Sequence, residues 1–175
     1  MSKSDLAVYA GAVLVIAVIG CSKQAVEPIE LKRFPVDKLV GLVSQSNVML
    51  DKEVSSDGNG SFKITVTEPT VVRLFEVDDI DVEDARLIYE AKLRTEDVEG
   101  KVYLEMWCHF TGLGAYFSRS LETALTGTVE WTTEQTPFFL KKGENPDLVK
   151  LNLVIDGKGT AWIDDIRLIK GPLQE

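Results

Sequence analysis

The sequence predicts an all-β sandwich, and three observations carry that expectation. From about Leu39 onward, short segments rich in Val, Ile, Leu, Phe and Tyr alternate with clusters of Gly, Asp, Asn, Glu and Pro, the punctuation of strands joined by turns. Within several segments apolar and polar residues alternate one by one, the period of a strand with one buried face. Beyond an apolar run near the N-terminus, no stretch sustains the 3.6-residue period of an amphipathic helix.

The chain of 175 residues opens with Met1 to Asp5, which carries Lys3, followed by the uncharged run Leu6 to Ile19 (LAVYAGAVLVIAVI). That run is shorter than the roughly 20 residues of a spanning helix and has the length of a signal-peptide core. It ends in Val18-Ile19-Gly20-Cys21. An aliphatic residue, a variable one, a small one and then cysteine resembles the lipobox of bacterial lipoproteins. The resemblance implies a signal-peptide helix over residues 1–20, cleavage after Gly20 and an acylated Cys21 as the mature N-terminus. It also implies export and a lipid anchor in the cell-envelope membrane, on its periplasmic or cell-surface side. An uncleaved anchor helix is the alternative, and it tethers the domain to a membrane as well.

Residues 21–38 contain Pro28 and Pro35 and mixed charges without clear periodicity, so they read as the lipidated cysteine and a tether. Residues 39–175 then form one domain, of a size that holds a single hydrophobic core. The net charge is −9, and Lys and Arg form no basic run, which argues against nucleic acid as a partner. With Cys21 acylated, Cys108 is the only other cysteine, and no disulfide framework is available.

Strands are expected over Val48 to Val54, Phe62 to Thr67, Val71 to Val77, Ala85 to Arg94, Lys101 to Phe110, Thr128 to Glu134, Pro137 to Lys141, Val149 to Asp156 and Thr160 to Ile169. Glu83 to Lys92 suits a helix on propensity. Its alternation, Leu87, Tyr89, Ala91 and Leu93 against Arg86, Glu90, Lys92 and Arg94, favours a strand. The expected core includes Val102, Leu104, Met106, Cys108, Leu151, Leu153, Ile155, Ile163 and Ile166, with a bulge near Asp164-Asp165 adjusting the last two.

The C-terminal third runs Trp131-Thr132-Thr133, Phe138-Phe139-Leu140, Val149 to Ile155, then Gly159-Thr160-Ala161-Trp162-Ile163-Asp164-Asp165-Ile166-Arg167-Leu168. This order resembles the galactose-binding-like jelly roll, especially the carbohydrate-binding modules attached to xylanases and cellulases. Arg86 to Arg94 followed by Tyr103 to His109 matches the central strand pair of those modules. The resemblance implies a β-sandwich jelly roll that binds a ligand, carbohydrate among the candidates, without catalysis. It requires no cofactor but implies a structural calcium near the first and last strands, with Asp164 or Asp165 as a ligand.

In Lys101 to Phe110, Val102, Leu104, Met106, Cys108 and Phe110 share one face, and Tyr103, Glu105, Trp107 and His109 the other. Two aromatic rings beside a carboxylate and an imidazole suit a sugar, whose apolar side stacks on rings while its hydroxyls need polar partners. Arg86, Glu90, Lys92 and Arg94 are expected on the same surface if their segment is the neighbouring strand. The other reading makes Tyr103 and Trp107 a secondary core beneath a loop.

Asp57-Gly58-Asn59-Gly60-Ser61 places oxygen ligands at alternate positions, and Glu68 falls where a calcium loop needs its last ligand. Phe62 stands where such a loop needs glycine, so a hairpin turn is expected instead. Asp78, Asp79, Asp81, Glu83 and Asp84 read as a solvated loop, and Gly112 and Gly114 as a turn after Phe110. Cys108 and His109 fall on opposite faces of one strand, and there is no second histidine, so no triad or metal cluster can be assembled. The sequence is therefore read as a membrane-anchored binding lipoprotein whose partner is a glycan. The alternative is an envelope assembly protein that binds another envelope protein through the same domain.

Overall fold

A computed structural model describes residues 27–173. The leader, the Val18 to Cys21 motif and the lipidation site Cys21 lie outside the described residues. Eight strands follow in order: β1 Ile29–Phe34, β2 Val48–Asp51, β3 Ser61–Val66, β4 Thr70–Asp78, β5 Ala85–Phe110, β6 Gly114–Arg119, β7 Leu125–Leu140 and β8 Leu148–Gly171. Every pairing is antiparallel, and the described residues contain no helix. Glu83 to Lys92 is a strand from Ala85 onward, so alternation outweighs helix propensity there.

Three strands are longer than expected, because β5, β7 and β8 each join two of the anticipated segments. In β5 and β8 the glycines between the two segments bend the chain without reversing it. Gly100 lies opposite Gly157, with φ of +124° and +149°, values that L side chains rarely adopt. The β5–β8 ribbon therefore stays paired from Arg86↔Gly171 to His109↔Leu148 while it turns over.

That bend folds one continuous sheet into two layers. The first contains the N-terminal half of β5 between β7 and the C-terminal half of β8, with β1, β3 and β2 beyond. The second contains the C-terminal half of β5 between β6 and the N-terminal half of β8, with β4 beyond. Aromatic rings close the space between them: Phe34 of β1 stacks on Phe75 of β4 at 4.5 Å, and Phe110 of β5 meets Phe138 of β7 at 6.2 Å.

All nine residues expected in the core are fully buried. Ile163 and Ile166, three positions apart, share the inner face because the register slips between Glu90 and Lys92 opposite them. Asp165 takes a positive φ of 49° as the extra residue of a bulge.

Two segments differ from expectation. Ile29–Phe34, read as part of the tether, pairs with β8, and Phe34 and Val36 join the core. Only Phe34 of the six β1 residues is buried, so its alternation is too faint to read. Gly114–Arg119, read as the end of a turn, is an edge strand on β5 whose residues are almost all exposed.

Candidate functional site

The outward side chains of β5 in the second layer are Tyr103, Glu105, Trp107 and His109, as alternation requires. Register sets their neighbours in rows across the sheet. Tyr103 lies beside Val154 of β8 and, beyond it, Val71 of β4. Glu105 lies between Asn152 and Arg119, with Arg73 beyond Asn152. Trp107 lies between Lys150 and Phe117, with Glu76 beyond Lys150. His109 lies between Leu148 and Ala115.

The centre of this face is a polar cluster set among rings. Glu105 is buried, and it accepts bonds from Asn152 Nδ2 at 2.9 Å and Arg119 Nε at 2.6 Å. Burial opposes its charge, but the bonds from Asn152, Trp107 and Arg119 outweigh that penalty and hold the carboxyl below its ordinary value. Trp107 is half-buried, its ring 5.1 Å from Phe117. The Arg119 guanidinium covers Phe117 at 4.3 Å. Tyr103 is buried, whereas Phe117 is 51% exposed. A half-open indole beside an exposed phenyl ring offers a stacking surface, and Asn152, Arg119, Lys150 and Arg73 offer donors to hydroxyl or carboxyl groups.

Sequence reasoning missed Asn152, Arg119, Phe117, Lys150 and Arg73. Lys150 and Asn152 were legible as polar positions alternating with Val149, Leu151 and Leu153. Phe117 and Arg119 carried no signal while their segment read as a turn.

Arg86, Lys92 and Arg94 do not share this face. They lie on the first-layer half of β5, because the chain bends between Glu96 and Gly100 and the neighbours of Tyr103 to His109 come from β8 and β6. Arg86 Nε donates to the Pro172 carbonyl at 2.8 Å. Arg94 lies over the ring of Trp162 at 5.4 Å and pairs with Glu130. Trp162 is buried, with Lys63 over its ring at 4.9 Å and its indole N–H donating to Asp51 Oδ2 at 2.9 Å. It is a structural tryptophan.

The closing-strand carboxylates, Asp164 and Asp165, are both engaged by groups of the protein itself. Asp165 faces two guanidinium groups, Arg33 and Arg167. Asp164 is buried, with one oxygen accepting from Ser56 N at 2.8 Å and the other from Asp165 N at 2.7 Å. Among the described residues no group of three or more His, Cys, Asp or Glu side chains is placed to hold a metal ion. Asp57 accepts from both nitrogens of Asn59, so the loop that resembled a calcium site closes as a turn. Cys108 faces the core, where burial pushes its thiol up to about 12, and His109 points the other way.

The fold is the β-sandwich found in carbohydrate-binding modules. A family 16 carbohydrate-binding module shares it at a TM-score of 0.53 and 15% identity, over 70% of this chain and 84% of that one. The CBM22-1 xylan-binding domain of Paenibacillus barcinonensis Xyn10C matches at 0.55 and 12% identity, over 77% and 88%. A Stig cyclase from Fischerella sp. TAU matches at 0.53 and 9% identity, over 76% and 73%. No protein-family model matches the sequence, and no curated protein matches it. At such identities the likeness establishes architecture alone.

Proposed function

We propose that this protein is a membrane-anchored, non-catalytic binding lipoprotein that presents the outer face of its second layer to carbohydrate. The observation that carries the reading is the Trp107–Phe117 ring pair beside the Glu105, Asn152 and Arg119 cluster, on a sheet face of a sandwich whose structural neighbours are carbohydrate-binding modules. Sugar rings stack through their apolar sides, and fixed polar groups select among hydroxyls. Anchoring rests on the Val18 to Cys21 motif and the apolar run before it.

Two observations favour a second reading, in which the same domain binds another envelope protein. The oxygens of Glu105 are already held by side chains of its own chain, and the edge strand β6 is exposed, which suits strand addition by a protein partner.

A glycan array probed with the full chain in detergent separates the two. A sugar signal abolished by Trp107→Ala and weakened by Asn152→Ala supports the first reading. A silent array together with specific capture of one envelope protein, lost on disrupting β6, overturns it in favour of the second.

A further inference from the structure

The end of the sandwich where the chain enters carries a contiguous apolar patch. Phe110 of β5, Leu113 of the following turn, Tyr116 of β6, and Phe138 and Phe139 of β7 line an open hollow of about 600 Å3, with Phe117 of the stacking surface, Lys141 and Glu144 also in its wall. The rings support one another, Phe110 lying 6.1 Å from Tyr116 and 6.2 Å from Phe138. Yet Leu113 is 66% exposed, and Tyr116 and Phe139 are each 55% exposed. Single exposed apolar side chains are ordinary, but a cluster around a hollow marks a contact surface.

The route of the chain says what meets it. Ile29, Lys170, Leu87 and Phe138 are successive neighbours across four strands, so about 14 Å separates the start of β1 from the patch at about 4.8 Å per strand. Upstream of Ile29 stand the apolar run Leu6 to Ile19 and then Cys21. Seven residues lie between Cys21 and Ile29, eight steps along the chain that reach about 28 Å at most. A membrane that holds this N-terminal segment is therefore within reach of this end of the sandwich.

We propose that this end rests on the lipid surface, with Leu113, Tyr116 and Phe139 entering the headgroup region, as aromatic and aliphatic side chains do at membrane interfaces. The proposal builds on the anchored reading above. It also assigns the lipid class. Asp79, Asp81 and Asp147 line an adjacent hollow, and Asp147 holds the backbone N–H of Thr111 beside the patch. Like-charge repulsion there disfavours an anionic surface and leaves neutral, zwitterionic headgroups.

The test reconstitutes the full chain in phosphatidylcholine vesicles, with an environment-sensitive fluorescent amino acid at position 113 or, as the control, at position 49. Met49 is 67% exposed on β2, away from the patch. The expected result is flotation that survives high salt, with several-fold stronger quenching by doxyl-labelled lipid at 113 than at 49. Adding phosphatidylserine should reduce that difference. Flotation with equal, water-like emission at both positions overturns the docking alone, and absence of flotation overturns the anchored reading with it. A blue shift at 113 without vesicles assigns the patch to a second copy if it grows with protein concentration. If it does not, the patch belongs to the chain's own apolar segment. Either outcome overturns the lipid assignment.

Discussion

Trp107 and Trp162 belong to the same sandwich, and their truncation should have opposite signatures. Trp162 is 3% exposed, donates its N–H to Asp51 and lies beneath Lys63 and Arg94. Trp162→Ala should cost about 3–5 kcal/mol, the usual loss for a buried large aromatic, which lowers the melting temperature by about 10 °C or more in a domain of this size. Trp107 is half-buried, and its main ring contact is Phe117, an aromatic pair of about 0.5–1.5 kcal/mol. With the bond it gives Glu105 adding about 1 kcal/mol, Trp107→Ala should cost about 2 kcal/mol, or about 6 °C, while abolishing glycan binding. Calorimetry of both variants beside the wild type, paired with titration of the best array ligand, reads the two effects separately. If Trp107→Ala lowers stability as much as Trp162→Ala, the indole is a core group and the stacking surface does not exist.

The remaining predictions concern the acid response, the bend and the anchor. Glu105 titrates below its ordinary value of 4.5, so its contribution to stability is present above that pH and is lost as the pH falls through the depressed value. Glu105→Gln should flatten the acid loss of stability below about pH 4.5, measured as denaturant midpoints across a pH series, and an unchanged profile refutes the assignment. At Gly157 a β-carbon would overlap the Glu99 carbonyl at a φ of +149°. Gly157→Ala should cost about 3 kcal/mol or more, whereas a wild-type melting curve would show that the ribbon does not turn there. Cys21→Ser should block acylation and leader removal. Normal maturation with salt-resistant membrane association would exclude the lipoprotein assignment.

Alternation by itself determined which residues turn toward the space between the layers and which turn away from it. Leu87, Tyr89, Ala91 and Leu93, and then Val102, Leu104, Met106 and Cys108, are all fully buried, because a strand turns its side chains with period two wherever it lies in the fold. The same rule placed Tyr103, Glu105, Trp107 and His109 on one outward face before any partner was known. The order of segments from Trp131 to Leu168, with the strand pair before them, carried the resemblance to the jelly roll whose sandwich fold the chain adopts.

Only the tertiary structure decided what stands beside that face. Period two carries no information about whether a glycine reverses a chain or bends it, so Gly100 and Gly157 read as ends of strands when they are the fold line of one ribbon. That difference moved Arg86, Lys92 and Arg94 to the opposite layer. Asn152, Arg119 and Phe117 took the places beside Glu105 and Trp107. Register is a long-range property: Glu105 meets Asn152 across 47 residues of chain, and hydrogen bonding between β5, β6 and β8, not the local sequence, brings those side chains together.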